Sequence, residues 1–297
     1  MMMRSVVVCL ALAVTAMASA AEDEGLFVFG ADATLQFDDN QSRAERRRDQ
    51  IEDTSVQVAA SVTSDWEPSI KHLFAVTLSA ELERFDDIGA LDRNSVALRG
   101  AWRWQPDPSF LAPIFEINAS TRFDDVETDQ RSSTVNRVQG FVTRRLTDRL
   151  TTSFGLEYRT HDSDGSVWDL IDKRWFLNVD LMLTQRAAGY LTFSRISGDT
   201  FSSAQRTFCN GAVATDLLDL INGATEIEPD EAYNDELCGD WVAYRLDANT
   251  NVFTLGFNRG FGHTMALDFS WTYVDVSGDE GNEYQRDLFR ATLLKRF

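Results

Sequence analysis

Period-two alternation of apolar and polar residues runs from residue 27 to the terminal Phe297, and no apolar run along that length reaches the roughly 20 residues of a membrane helix. Phe27, Phe29, Ala31, Ala33, Leu35 and Phe37 share one face of the first segment, with Gly30, Asp32, Thr34 and Gln36 on the other. The pattern recurs at 56–62, 74–82, 96–104, 115–123, 138–142, 150–158, 175–183, 191–193, 253–257, 267–273 and 289–297. Side chains two apart on a strand share a face, so this spacing predicts about twelve strands, each apolar on one side. At 43% hydrophobic with 20 Phe and 7 Trp the chain is too apolar for a disordered one, and a formal charge of −19 argues against nucleic acid. No phosphate-cradling glycine loop, Cys-His metal spacing or haem motif is present, so neither cofactor nor metal is expected.

The N-terminus reads as an export signal. Arg4 precedes an apolar stretch over 6–14, and Ala18-Ser19-Ala20 forms a small-x-small cleavage site. Residues 1–21 are therefore expected to be removed, leaving 22–297 as one domain. Cys9 leaves with the signal; Cys209 and Cys238 remain. In an oxidising compartment a disulfide between them is the expectation, with two free thiols as the alternative.

Alternation also fits a soluble sandwich, but three features point to a membrane barrel. Short connections (147–149, 185–188 and 258–263) alternate with long ones (38–53, 124–132 and 198–240). Aromatic residues gather at strand ends (Phe37, Phe85, Trp102, Trp104, Phe123, Tyr158, Trp175, Trp271, Tyr273), as an interfacial girdle requires. The polar faces carry charge on nearly every strand, which a dry core would not tolerate unpaired.

Over nearly all its length the chain thus resembles the Gram-negative outer-membrane β-barrels: all-β, closed and antiparallel, with short periplasmic turns and long extracellular loops. The resemblance implies residence in the outer membrane among its lipid and lipopolysaccharide. It also implies insertion by machinery that reads a terminal aromatic with apolar residues at alternate positions before it. Phe297, Leu293, Ala291 and Phe289 fit; Lys295 departs, although a Lys near the interface can snorkel.

With the apolar stripe facing lipid, Arg99, Arg103, Arg122, Arg137, Arg145, Arg159, Arg174, Arg286, Arg290 and Arg296 are expected to line the lumen. The inward acids are Asp32, Glu81, Glu83, Glu116, Glu157, Asp180 and Asp268, giving a slightly Arg-rich interior. Guanidinium rows favour anions and carboxylated sugars. The size and lumen resemble the twelve-stranded porins for acidic sugars, in architecture alone. The same charges crossing as pairs would fill a narrow barrel, so an open passage and a packed lumen both fit.

Three smaller signals complete the reading. Segment 198–240 contains a short helix over 212–221, stopped at Asn222-Gly223, and is either a lid or, by preference, a stabilised surface loop clipped by Cys209 and Cys238. Arg43, Arg46, Arg47 and Arg48 either meet lipopolysaccharide phosphates or, as charge runs usually do, neutralise nearby Asp38, Asp39, Glu45 and Asp49. His161-Asp162-Ser163-Asp164-Gly165 is similar to the H-x-S-x-G stretch of outer-membrane phospholipase A and the lipid A deacylases, which would make His161 the base for a Ser163 nucleophile. Inward parity and Asp164 in place of the usual Asn count against it. The sequence thus points to a passive channel for small anionic solutes, ahead of a closed structural barrel and a lipid hydrolase.

Overall fold

The computed structural model describes residues 27–279 and 281–297; the expected signal peptide lies outside these. Strands β1 (Phe27–Asp38), β2 (Asp53–Ser69), β3 (His72–Phe85), β4 (Arg93–Trp104), β5 (Ile114–Val126), β6 (Ser133–Arg145), β7 (Leu150–Ser163), β8 (Leu170–Thr184), β9 (Ala187–Thr207), β11 (Asp240–Phe261), β12 (Met265–Gly278) and β13 (Glu283–Arg296) pair antiparallel. β13 closes onto β1, with Leu293 opposite Ala33 and Phe289 opposite Phe37, so the twelve strands form a barrel without a free edge. A thirteenth strand, β10 (Glu226–Pro229), sits outside the ring against β11.

Register settles which face each residue takes. Leu35, Val56, Leu98, Ile117, Leu156, Leu255 and Phe289 all fall on the outward face, and Leu156 is 60% exposed. Such a band is stable only against hydrocarbon, at ~25 cal/mol per Å² removed from water. Aromatic rings flank it. Trp66, Phe74, Trp102 and His72 stack near one rim, with Trp66–Phe74 centroids 5.5 Å apart. Trp175–Phe193 and Phe253–Trp271 lie toward the other. Phe85 is an exception to the expected girdle. It takes inward parity and packs against Ile88, Ala90 and Leu91 of the next loop.

At the closing seam the Phe297 amide donates to Phe29 O at 3.0 Å. Lys295, on the outward face, reaches Thr264 Oγ1 in the β11–β12 turn at 2.9 Å, so its ammonium snorkels to the rim as expected.

The main departure from the sequence reading lies at the extracellular end. β9 and β11 run 21 and 22 residues, far beyond the barrel wall. β9 leaves β8 at Gly198, whose φ of +136° and a backbone oxygen of Ile171 at 2.2 Å from any added Cβ exclude a side chain. Beyond it, 199–207 and 240–247 continue as a hairpin, with helices α1 (Leu217–Leu220) and α2 (Glu231–Glu236) and β10 at its tip. The helix expected over 212–221 shortens to the single turn α1, followed by Gly223 at φ +77°. Cys209 and Cys238 are bonded, with Cα atoms 5.1 Å apart, and clip the base of this excursion.

The hairpin meets all five other outer loops. Ser203 N donates to Ser42 O at 3.0 Å, Tyr233 and Trp241 pack with Ile88 and Leu91, and Arg131 grips Asp230. Ser166 Oγ donates to Glu228 at 2.7 Å and Asn282 Nδ2 to Leu220 O at 2.9 Å. A segment rooted in β9 and β11 reaches the β3–β4 loop only by crossing the mouth. It lies across the mouth, the placement of the lid alternative, and is called the lid below. Packing holds it there: Val167, Trp168, Phe201 and Ala243, and separately Leu220, Tyr244 and Leu246, bury apolar surface beneath it.

Candidate functional site

The inward face of the wall is the candidate site, and its residues follow directly from strand parity. Arg99 and Arg103 on β4 face Glu116 on β5 at 3.7 and 3.1 Å. Arg137 on β6 faces Glu157 on β7 at 3.6 Å. Each contact joins adjacent strands, so the pairs run along the wall and do not cross the lumen. Arg99, Arg103 and Arg137 keep 53%, 50% and 45% of their side-chain surface accessible, while Glu116 and Glu157 are buried behind them. The cations therefore front the interior.

A cavity of about 310 Å³ opens beside them, lined by Arg99, Asn118, Arg174, Asn178 and Thr192 among others. The Arg174 guanidinium lies 5.5 Å from the Phe176 ring. Elsewhere Arg290 donates to Gln36 Oε1, Asn178 to Asp180 at 2.5 Å, and Tyr190 to Asp268 at 3.0 Å. Gly256 allows that last contact, since a Cβ there would lie 2.0 Å from the Tyr190 ring.

Nearer the mouth the ion pairs tighten. Arg93 takes Glu81 and Glu83 at 3.0 and 2.7 Å. Arg122 takes Asp124 at 2.8 Å, Arg159 takes Asp172 at 2.5 Å, and Arg286 takes Asp38. Arg131, from the β5–β6 loop, binds both oxygens of the lid's Asp230 at 2.9 and 2.8 Å beneath the rings of Trp168, Phe201 and Tyr233. Burial pushes the Tyr233 phenol up, so that ring stays neutral.

Sequence parity named Arg99, Arg103, Arg122, Arg137, Arg159, Arg174 and Arg290 with Glu81, Glu83, Glu116, Glu157, Asp180 and Asp268, and in the register they share the face opposite the apolar band. Arg93, Asp124 and Asp172 were assigned no lumen role, although each lies two residues from an inward position, and parity carried one step further reaches them. Arg131, Asp230 and Arg43 come from loops, where no period exists to read.

His161 and Ser163 do share the inward face, but they do not form a dyad. His161 Nε2 bonds Ser133 Oγ at 2.6 Å, while Ser163 Oγ donates to Gly165 O and Asp169 at 3.0 and 3.2 Å. Loop bonding holds Ser163 away from the imidazole, so the H-x-S-x-G hydrolase reading loses its base. Among the described residues no three His, Cys, Asp or Glu converge as a metal site. In the first outer loop, 39–52, Arg46 pairs with the adjacent Glu45 at 2.9 Å, as local neutralisation expects, whereas Arg48 reaches the distant Asp216 at 2.5 Å and has its own Asp49 only at 3.5 Å.

No family model matches the chain, and no curated protein does. Solved structures do. The COG4313 outer membrane channel from Pseudomonas putida F1 superposes with a TM-score of 0.59 at 9% identity, over 91% of this chain and 95% of that one. The NanC porin (TM-score 0.46, 12% identity, 89% and 98% covered) and the KdgM porin in complex with disordered oligogalacturonate (0.44, 7%, 90% and 99%) are more distant. With the closed ring, the outward apolar band and its aromatic flanks, the fold is that of an outer-membrane β-barrel, twelve strands in the wall, and the chain's place is the outer membrane.

Proposed function

We propose that the protein is a passive channel for small anionic solutes, carboxylated sugars foremost among them. The observation that carries this reading is the half-exposed row of Arg99, Arg103 and Arg137 fronting the interior, each backed by a buried acid. A carboxylate pinned behind its Arg lowers the local field but leaves outward N–H donors free for a passing anion. The channel character of the neighbour with the same fold supports it. The exposed Arg47 is proposed to meet lipopolysaccharide phosphate, and the strand ending in Phe297 to be read during insertion.

Planar-bilayer current through the refolded protein under a potassium chloride gradient tests the reading. A steady conductance with a reversal potential on the chloride side is expected, moving toward zero in Arg99→Gln and Arg290→Gln. Protein that shows heat-shifted gel mobility yet carries no current would leave a closed barrel, the reading favoured by the packed lid.

A further inference from the structure

Arg43 stands apart from every other arginine near the mouth. The loop that carries it folds inward and is tied there: Asn40 Nδ2 donates to Ala44 O and Gln285 O at 3.0 and 2.9 Å, and Ser42 Oγ to Asp49 O at 2.7 Å. The Ser202 hydroxyl of the lid strand donates to Arg43 O at 2.8 Å. Arg43 has φ +56°, the only left-handed non-glycine among the described residues. A bulky residue held in that region is uncommon and is kept there by its surroundings.

The guanidinium so positioned lies 4.0 Å from the Phe201 ring, which covers one of its faces. Among the described residues its side chain has neither an ion pair nor a hydrogen bond. Arg286, Arg159, Arg122 and Arg131 each hold an Asp of their own. Arg43 feels Tyr284, Arg286 and Asp38 on the β1–β13 side and Arg159 on β7, the opposite wall, so it lies toward the axis. Burial pulls it down to about 10, yet it stays charged at neutral pH, and the residue retains solvent access. Arg43 is thus the one arginine of these five without an acid of its own.

We propose that Arg43 is a fixed binding subsite for a single carboxylate of the solute, gripped by the free guanidinium edge while Phe201 supports its face. This rests on the anion-channel reading and adds the group that confers selectivity. One unpaired fork matches one planar carboxylate in geometry and charge. A carboxylate there completes the cluster as a fifth Arg–carboxylate pair.

Binding can be read without current. Trp168, whose ring lies 6.2 Å from Phe201, reports on the site through its fluorescence in refolded, detergent-solubilised protein. Titration with galacturonate is expected to give a saturable change that neutral galactose does not. Arg43→Asn, which suits the left-handed backbone, should weaken it at least tenfold, about one power of ten or 1.4 kcal/mol. Arg43→Lys, charged but without the fork, should fall between. Heat-shifted mobility confirms each variant is folded. Undiminished binding in Arg43→Asn, no saturable galacturonate signal in the parent, or a response to inorganic phosphate alone would overturn the subsite. Current that is anion-selective while Arg43→Asn binds normally sinks the subsite alone; carboxylate binding at Arg43 without any current sinks the channel alone.

Discussion

Replacing Asp230 by Ala is expected to release the lid while leaving the barrel intact. The Asp230 carboxylate is fully buried and receives both Arg131 N–H bonds as well as Ser203 Oγ at 2.6 Å. Its removal leaves the Arg131 guanidinium stranded among Trp168, Phe201 and Tyr233 with no carboxylate to answer it. Breaking a buried pair from one side costs about 3–5 kcal/mol, so the fraction of molecules with the lid detached should rise by about two to four powers of ten. Limited proteolysis in the 208–239 segment reads this directly, because the Cys209–Cys238 bond restrains the base but not the tip. Heat-shifted mobility should persist, since the twelve-strand ladder does not run through that pair. The double variant Arg131→Met/Asp230→Leu removes the stranded charge and should restore much of the protection. An unchanged cleavage rate in Asp230→Ala would mean the lid is held by its apolar clusters alone.

The second large effect belongs to the wall. Leu98, outward on β4 and 49% exposed, lies midway between the Trp102–Trp104 rim and the outer end of its strand. Leu98→Arg places a guanidinium in hydrocarbon, at about 2–4 kcal/mol for a midplane site on a membrane barrel. Ala97→Arg, one residue away but inward, adds a cation to a lumen that already holds several and should cost far less. Equilibrium unfolding of the two variants in lipid vesicles separates them. Equal destabilisation would contradict the assigned parity.

That parity was legible in the sequence because one rule governs most of the wall, hydrocarbon outside and polar groups inside at period two, with Lys173, Arg195 and Lys295 outward and Phe141 and Phe176 inward as departures. It assigned Arg99, Glu116, Arg137 and Glu157 to one face, and in the register they share the face opposite the apolar band. The rule fails where both faces are covered. In the lid, Trp241-Val242-Ala243-Tyr244 is a continuous apolar run because loops pack on either side, and its alternation disappears. The outer halves of β9 and β11 therefore read as loop. Phe85 misled for a related reason, since an aromatic at a strand end fills a girdle or a loop core equally well. Arg43 was seen only as one of four basic residues; its inward turn depends on Asn40, Ser42 and the distant Ser202 and Ser203, a set no local pattern announces.

The central claim is a water-filled passage lined by the inward face, and labelling single cysteines along β4 tests it most directly. In protein produced from residue 22 onward, which lacks Cys9, Cys209 and Cys238 are bonded to each other and leave a clean background. Cysteine placed at Ala97, Leu98, Arg99, Gly100 and Ala101 in turn would be exposed to a membrane-impermeant thiol reagent in vesicles, with current recorded alongside. Rapid labelling at 97, 99 and 101, with loss of current, and none at 98 and 100 is the result the account predicts. Inward positions that stay unlabelled in folded protein would show a packed lumen and contradict it.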